Sequence, residues 1–505
     1  MEVYVSMKYK STRGGASGLS FSEAVVKGLA PDGGLFVPEK PIVIDSLDLS
    51  AMSSMNYEQL AINIISRYAD DFTPEEVKDC VKKAYSFGSF PEIVAPVTNI
   101  NDKLSVLELY HGPTSAFKDM ALQILPNFMT YAMKKTGEEN EVIILTATSG
   151  DTGKAALEGF KDIPGIRVMV FYPEDGVSEM QKYQMITQQG NNVRVVAVKG
   201  NFDDAQSGVK KIFSDEEFAS VIAKDGKELS SANSINWGRL LPQIVYYFHA
   251  YFTMARNGQI RLGAKINFVV PTGNFGNILA CYYAKKAGLP INRIICASND
   301  NNILSDFMAT GTYNKNRSFM TTISPAMDIL ISSNLERLLF DASGEDAVMI
   351  ASLMDELKRD GVYTVDNRTM NNINETFWAS YATEAETLRT ITDTYNKYNY
   401  LVDPHTAVGL NVYEKYRQTT GDDTTTVAVS TASPFKFNSS VAEAIFGKDA
   451  LEGLDEFEVL EYLSEKTGIE IPMPLRNLNK KEILHKKVCE ASDMKKEVLE
   501  YICSK

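Results

Sequence analysis

Short apolar runs alternate with longer amphipathic stretches through the middle of the chain. The runs are rich in β-branched residues, which is typical of strands buried on both faces. They predict strands at residues 141–147, 167–172, 193–198, 265–270, 293–297 and 425–430. The intervening stretches predict helices at residues 178–189, 202–223, 238–257 and 277–287. This alternation of strands and helices predicts an α/β fold with largely parallel sheets.

The two ends of the chain show different patterns. Residues 1–100 are rich in turn signals and carry a helical pattern near 57–68, and we interpret them as an N-terminal subdomain. Residues 451–505 are highly charged. Their periodicity predicts helices at 455–466 and 480–502, so this part is interpreted as a helical C-terminal cap.

Composition excludes several classes of protein. The chain has 505 residues, and 44% hydrophobic residues with 23% charged residues are typical of a globular protein. The formal charge of −14 argues against nucleic-acid binding, which needs clustered Lys and Arg, although local donors could still bind a small anion. No run approaches the roughly 18 apolar residues of a membrane helix, and no secretion signal is visible. We expect a cytoplasmic protein with no membrane contact.

The cysteines and histidines give no sign of a metal site. The five cysteines lie far apart, and none forms a CxxC pair. With only four histidines, the sequence predicts neither structural zinc nor a disulfide framework, and no metal requirement.

Polar loops rich in small residues follow three of the predicted strands. They are residues 148–153 (TSGDTG), 272–277 (TGNFGN) and 430–435 (STASPF). In an open α/β sheet, ligands bind where strands end and helices begin. Glycines and a helix N-terminus make the first two loops suitable for anions, which suggests a phosphorylated cofactor and a second anionic ligand. Neither loop has the spacing of the common nucleotide-binding motifs.

A lysine lies within a fourth polar segment, residues 108–119. Lys118 is expected in the first turn of an apolar helix beside Phe117. A helix N-terminus and partial burial both lower a lysine pKa, and a neutral amine is the nucleophile of Schiff-base chemistry. A surface lysine without a function remains an alternative on these grounds, because most lysines are exposed.

Taken together, these motifs resemble those of the threonine synthase family, which are pyridoxal-phosphate (PLP) enzymes of fold type II. The resemblance covers most of the chain. It is carried by residues 11–14 (STRG), 20–24, 28–38, 111–119 (HGPTSAFKD), 148–153, 233–239 (NSINWGR), 273–277 and 403–409 (DPHTAVG).

The resemblance implies an architecture and a cofactor site. The implied fold has two α/β domains with parallel sheets around the cofactor. Residues 101–450 would form this catalytic region, with a smaller domain at roughly 120–235 inserted in the larger one. Lys118 matches the lysine that binds PLP covalently, and Thr431 matches the hydroxyl at the pyridine nitrogen. The other residues matched to cofactor binding are Gly273, Asn274, Phe275, Gly276 and Asn277.

The resemblance also implies a reaction and a substrate site. The implied reaction converts O-phospho-L-homoserine and water to L-threonine and phosphate, the last step of threonine biosynthesis. It proceeds by γ-elimination and β-hydration, in a monomer or a homodimer. The residues matched to the substrate are Thr148, Ser149, Gly150, Asp151, Thr152, Asn236 and Arg239. His111 and His405 lie in matched motifs, where each could contact ligands or serve a structural hydrogen bond.

The late loop departs from the family pattern. Many relatives read Thr-Ala-His-Pro-Ala-Lys-Phe, whereas this chain has Ser433 and Phe435 in place of the His and the Ala. We interpret the change as one of packing. Two alternatives to threonine synthase stay open: an O-phosphohomoserine phospho-lyase or serine/threonine dehydratase of the same fold, and a binding protein that has the fold without turnover.

Overall fold

The computed structural model describes residues 6–86, 88–148, 150–175 and 177–503. Within these residues the strands are β1 (Tyr9–Ser11), β2 (Phe36–Pro38), β3 (Val97–Asn101), β4 (Leu104–Glu108), β5 (Glu141–Ala147), β6 (Ile166–Pro173), β7 (Val193–Lys199), β8 (Lys227–Ser230), β9 (Ile266–Pro271), β10 (Ile291–Ser298), β11 (Thr312–Asn314), β12 (Val362–Thr364), β13 (Phe377–Tyr381), β14 (Thr426–Ser430) and β15 (Lys487–Glu490).

The helices of the same residues are α1 (Phe21–Lys27), α2 (Ser46–Met52), α3 (Tyr57–Tyr68), α4 (Pro74–Tyr85), α5 (Asp119–Leu122), α6 (Leu125–Thr136), α7 (Asp151–Gly159), α8 (Glu179–Ile186), α9 (Phe202–Phe213), α10 (Glu216–Lys224), α11 (Trp237–Arg256), α12 (Gly276–Lys286), α13 (Ile303–Thr310), α14 (Leu335–Ala342), α15 (Ala347–Arg359), α16 (Asn367–Asn374), α17 (Glu384–Tyr398), α18 (Pro404–Thr420), α19 (Asn438–Phe446), α20 (Glu456–Thr467) and α21 (Met494–Cys503). Short 3-10 turns lie at Pro325–Met327, Pro434–Phe437, Lys448–Leu451, Leu478–Lys480 and Ala491–Asp493.

Two parallel sheets form the centre of the molecule. The larger has the order β13-β10-β9-β14-β4-β3, and only its edge pair β3–β4 is antiparallel. The smaller has the order β15-β7-β6-β5-β8, and all its pairs are parallel. Their central strands are buried, so the predicted α/β class with parallel sheets is confirmed.

The six predicted strands are all present as β5, β6, β7, β9, β10 and β14. The single helix predicted for 202–223 is wrong, because α9 ends at Phe213 and α10 begins at Glu216. Asp215 separates them, and its carboxylate accepts a hydrogen bond from the Phe218 amide at 2.8 Å. An N-cap of this kind starts a new helix instead of continuing the old one.

The C-terminal part also differs from its prediction. Helix α20 confirms the pattern at 455–466. The helix predicted for 480–502 is wrong in its first half, where strand β15 pairs with β7 and extends the smaller sheet, while α21 forms the second half. The segment therefore completes a sheet in addition to covering the molecule with helices.

The N-terminal part packs directly on α11 of the main body. Trp237, fully buried, has its ring 5.6 Å from that of Tyr9 and 5.2 Å from that of Tyr283. Arg13 pairs with the buried Glu336 of α14 at 2.8 Å. These contacts join the N-terminal part to helices α11 and α14 of the main body. No helix among the described residues has the length and apolar character needed to cross a membrane.

Candidate active site

Three loops meet at one edge of the larger sheet. Strands β4, β14 and β9 are parallel neighbours, so the segments that follow Glu108, Ser430 and Pro271 leave the sheet on the same side. The first two are bonded together, with the Phe117 amide donating to the Thr431 carbonyl at 2.8 Å. The loop that follows β5 of the smaller sheet reaches the same place through Asp151, which contacts Lys118 and Lys436. The structure thus brings these segments to one region between the two sheets, which we call the cleft.

Asp151 joins two lysines at the centre of this cleft. Its Oδ1 lies 2.8 Å from Lys436 Nζ, and its Oδ2 lies 3.4 Å from Lys118 Nζ. Gln181 donates a further hydrogen bond to Asp151 Oδ1 at 2.9 Å. Lys436 is completely buried, and Lys118 immediately precedes helix α5 with its Nζ 5.6 Å from the centre of the Phe117 ring. The expected partial burial of Lys118 beside Phe117 is confirmed.

Burial and neighbouring charges set the ionisation of this cluster. Burial lowers the pKa of Lys118; Asp151 opposes this effect, while Lys436 and Arg239 reinforce it. Burial alone would raise the pKa of Asp151, but Lys436 and Lys118 together hold it well below its usual range. Asp151 is therefore a carboxylate, and Lys118 gives up its proton more readily than an exposed lysine.

The loop after β9 contains a run of backbone amides without hydrogen-bond partners. Within the described residues, the backbone amides of residues 273–278 donate to no acceptor. Two carbonyls of the loop are instead bonded to buried side chains of the protein, since Ser332 Oγ donates to the Gly273 carbonyl at 2.7 Å and Asn334 Nδ2 to the Asn274 carbonyl at 2.9 Å. Phe275 has a left-handed backbone (φ 62°) immediately before α12. Unpartnered amides at a helix N-terminus are suited to bind an anion, and we refer to residues 273–278 as the cradle.

The cradle combines a close backbone approach with a further side-chain donor. A Cβ atom at Gly273 would lie 2.4 Å from the Ala326 carbonyl oxygen, so no larger residue fits without moving the loop. The buried side chain of Asn277 adds an amide Nδ2 that has no partner among the described residues. Donors without protein acceptors match the phosphate of PLP, which needs several of them.

The residues matched to the substrate differ in how their polar atoms are engaged. Thr148 Oγ1 accepts hydrogen bonds from the amides of Gly150 (3.0 Å) and Gly153 (3.1 Å) and so shapes the start of α7, which includes the half-buried Thr152. Ser149 lies outside the described residues. Asn236 donates to the Val25 carbonyl and accepts from the Gly238 amide, so its polar atoms are already engaged.

Arg239 is buried near the lysines. Its Nη1 donates to the Ala232 carbonyl at 2.7 Å, while its Nε has no partner among the described residues. Burial lowers the pKa of this guanidinium to about 10, which still leaves it charged at neutral pH. The structure therefore places a buried cation with donor capacity to spare beside the Lys118 cluster.

The matched histidines make structural hydrogen bonds. His405 is held between Asp403, at 2.6 Å from its Nδ1, and the Ala326 amide, which donates to its Nε2 at 3.2 Å. His111 Nε2 lies 2.7 Å from Glu108 Oε2. In the late loop, Ser433 Oγ accepts from the Phe435 amide and Phe435 is buried in an apolar cluster, which supports the packing interpretation of this departure.

Two contributors were not assigned a role from the sequence. Lys436 is the only charged residue in the apolar late loop, which is the signal that could have identified it. Asn334, which orients the cradle, lies 57 residues beyond Asn277 in a region without a motif, and no sequence signal points to it.

Comparison with known proteins agrees with this geometry. Residues 98–432 match the family described as "Pyridoxal-phosphate dependent enzyme", so the fold and the site define a PLP-dependent enzyme. Residues 8–85 match "Threonine synthase N terminus", and residues 406–473 match "Threonine synthase, C-terminal". The chain belongs to the threonine synthase family. It is a PLP-dependent lyase of threonine biosynthesis, and the predicted cofactor and activity are confirmed.

Relatives from yeast and bacteria match over nearly their whole length. The chain is 38% identical to threonine synthase of Saccharomyces cerevisiae, covering 91% of this chain and 94% of that protein. It is 38% identical to threonine synthase of Pseudomonas aeruginosa, covering 88% and 91%. The crystal structure of PLP-bound threonine synthase from Brucella melitensis superposes with a TM-score of 0.87 at 36% identity, covering 99% of this chain and 100% of that one.

Proposed function

We propose that this enzyme converts O-phospho-L-homoserine and water to L-threonine and phosphate in the cleft around Lys118. The single observation that carries the proposal is the buried cluster in which Asp151 faces both Lys118 and Lys436, with Arg239 beside it. Lys118, Lys436 and Arg239 lie close enough to affect one another electrostatically, which makes this a local concentration of basic side chains inside an acidic protein. Such a concentration would attract a substrate that carries a phosphate dianion.

Two parts of the fold would hold opposite ends of the cofactor. Lys118 would hold PLP covalently, while the amides of residues 273–278 and the Asn277 side chain would hold its phosphate. Thr431 would place its hydroxyl at the ring nitrogen, since this hydroxyl makes no hydrogen bond within the described residues and the backbone of Thr431 is fixed to Phe117. When bound, PLP supplies the electron sink that stabilises negative charge at the substrate carbon atoms.

Lys118 would act as the proton carrier of the reaction. Once the substrate amine has replaced it, its Nζ is a tethered amine within reach of Cα and later of Cβ. The lowered pKa favours the neutral amine that can accept the Cα proton. Asp151, 3.4 Å away, would stabilise the resulting ammonium and keep it oriented.

Lys436 and Arg239 would bind the substrate phosphate and stabilise its charge as it leaves. Lys436 is fixed by Asp151 and by the Thr114 carbonyl at 2.9 Å, so its charge is already in position before the substrate enters. Arg239 has its unpartnered Nε to offer. Charges that are fixed and desolvated in advance are the most effective in stabilising a developing anion.

The location, the assembly and the domain limits belong to the same proposal. The described cysteines form no disulfide, which supports a reducing, cytoplasmic location. We infer a monomer or a homodimer, and domain limits of 1–100, 101–450 and 451–505. A larger oligomer in sedimentation of the purified holoenzyme would contradict the monomer or homodimer.

Product identification tests the proposed reaction. Purified holoenzyme is incubated with O-phospho-L-homoserine, and the products are identified by mass. We expect threonine and phosphate in equal amounts. Phosphate with 2-oxobutanoate would instead assign the phospho-lyase reaction, and absence of phosphate release would contradict the proposed substrate.

A substitution at Gly273 tests the cofactor cradle. In Gly273→Ala the new Cβ would meet the Ala326 carbonyl oxygen, so the loop must shift and its amides lose alignment. We expect PLP affinity to fall by about 10-fold or more, measured by titrating the apoenzyme with PLP. Gly276→Ala is the comparison, because its Cβ would meet nothing closer than 3.6 Å and should cost much less affinity. If Gly273→Ala and Gly276→Ala lose PLP affinity equally, the close approach of Gly273 to the Ala326 carbonyl does not explain the loss.

A further inference from the structure

Two adjacent tyrosines of α11 converge on the side chain of Asn277 from behind the cradle. The hydroxyl of Tyr246 lies 2.5 Å from Asn277 Oδ1, and that of Tyr247 lies 2.6 Å from the same atom. All three side chains are buried. Both tyrosines therefore contact the oxygen end of the Asn277 side chain.

The contact distances show which end of the Asn277 amide faces the tyrosines. Separations of 2.5 and 2.6 Å suit an O–H···O bond, for which about 2.5–3.0 Å is usual, and Oδ1 is the side-chain atom of Asn277 that both hydroxyls reach. Burial also raises the pKa of both tyrosines well above the usual value, so both remain donors. The oxygen of Asn277 thus accepts from the tyrosines.

Turning the oxygen to the tyrosines turns the nitrogen the other way. Asn277 Nδ2 has no partner among the described residues although the side chain is only 7% exposed. A buried amide group without an acceptor is costly, and the adjacent cradle is where an anion would supply one. With the opposite orientation, a carbonyl oxygen would face the same anion and repel it.

We propose that Tyr246 and Tyr247 are positioning residues that hold the Asn277 amide with Nδ2 aimed at the cofactor phosphate. The inference rests on the proposed role of the 273–278 loop as the phosphate cradle. The Tyr246 hydroxyl also lies 3.1 Å from Gln243 Oε1, and the Tyr247 hydroxyl 3.0 Å from the Asn277 carbonyl oxygen, but both are closest to Asn277 Oδ1. In this proposal they touch neither cofactor nor substrate and act through Asn277. Their effect is to make Asn277 a donor before PLP arrives, which raises the affinity for PLP.

A mutant cycle on PLP affinity tests this positioning role. The variants are Tyr246→Phe/Tyr247→Phe, Asn277→Ala, and the three substitutions combined. The dissociation constant of PLP is measured on each apoenzyme by absorbance and by the rate of PLP release. We expect the double tyrosine variant to bind PLP about 10- to 100-fold more weakly. In the Asn277→Ala background, we expect the tyrosine substitutions to change PLP affinity less than about 3-fold.

Tyr251→Phe provides the matched control. Tyr251 lies one turn further along α11, and its hydroxyl bonds to the Ala264 carbonyl and the Gly263 amide, outside the site. Its substitution should leave PLP affinity unchanged. If the triple variant does not fold, separate cycles of Tyr246→Phe and Tyr247→Phe with Asn277→Ala provide the same comparison.

The outcomes separate this inference from the proposed function. The tyrosine substitutions could weaken PLP binding as much in the Asn277→Ala background as in the wild type. This result would mean that the tyrosines act through helix packing, and it would overturn the inference. Unchanged affinity in the tyrosine variants, with a loss in Asn277→Ala, would also overturn it but leave the cradle intact. Unchanged affinity in Asn277→Ala would contradict the contact between Asn277 and the cofactor phosphate, and the inference with it.

Discussion

Replacing Lys118 by Ala is expected to abolish threonine formation, lowering kcat on the order of 10⁴-fold or more. The variant loses both the covalent attachment of PLP and the tethered amine that carries the proton, and each of these makes a large contribution. Lys118→Ala removes a buried cation that is paired only at 3.4 Å, so the protein should still fold. Turnover is measured as threonine formed from O-phospho-L-homoserine in saturating PLP.

The spectrum of the same variant provides a second readout. A covalently bound PLP absorbs in the near-visible range, and Lys118→Ala should lose the band that borohydride removes from the wild type. Free PLP in the cradle would remain detectable by its phosphate after filtration. Full activity in Lys118→Ala would show that another group carries the proton and would overturn the assigned mechanism.

Replacing Lys436 by Met is expected to have the second largest effect. It removes the fixed cation proposed for the departing phosphate, so kcat should fall by about 10²–10³-fold, the range found when a charge-stabilising donor is lost. It also leaves Asp151 with Lys118 as its only direct cationic partner, and we expect a stability loss of roughly 3 kcal/mol, at the lower end for a broken buried pair. Activity and denaturant unfolding of the holoenzyme measure the two effects.

The same variant should shift a pH profile in a defined direction. The charge of Lys436 lowers the pKa of Lys118, so its removal raises that pKa. PLP bonds to the neutral amine, so at a fixed pH less of the enzyme is reactive, and the pH midpoint of covalent PLP binding moves upward. An unchanged or lower midpoint would contradict the coupling of the two lysines through Asp151.

Lys154→Met is the matched control for Lys436. Lys154 is another buried lysine, paired with Glu158 at 2.9 Å on α7, and its side chain is directed at Glu158 and Gln188 instead of at Asp151. It should lose comparable stability but keep its kcat with O-phospho-L-homoserine and the pH midpoint for covalent PLP binding. Equal loss of activity in the two variants would assign the Lys436 effect to general destabilisation.

The sequence predicted most of the secondary structure that carries the site. The central strands are buried on both faces, so their apolar runs are continuous and easily recognised. β15 was missed because an edge strand of the alternating, charged sequence Lys-Val-Cys-Glu resembles a solvated helix turn. The break at Asp215 was missed because both flanking segments have good helical periodicity, and only the capping geometry separates them.

The site was predicted as far as its motifs are local in sequence. Asp151 and the 273–277 loop could be read from the chain because each follows a predicted strand, and Lys118 because it lies in a polar segment that precedes an apolar helical pattern. Asn334 and the tyrosine pair on α11 could not, because they act across the fold and look like ordinary loop and packing residues. Asn236 is a motif residue that was matched to the substrate, but its side chain caps helix α11 and bonds to Val25.

The central claim is that Lys118 carries the cofactor beside Asp151 and Lys436. It is tested most directly by reducing the holoenzyme with borohydride, digesting it, and locating the phosphopyridoxyl group by mass spectrometry. We predict the label on Lys118 alone, in an amount equal to the enzyme, and no label after the same treatment of Lys118→Ala. A label on Lys436 or any other lysine, or none on the active holoenzyme, would contradict the account.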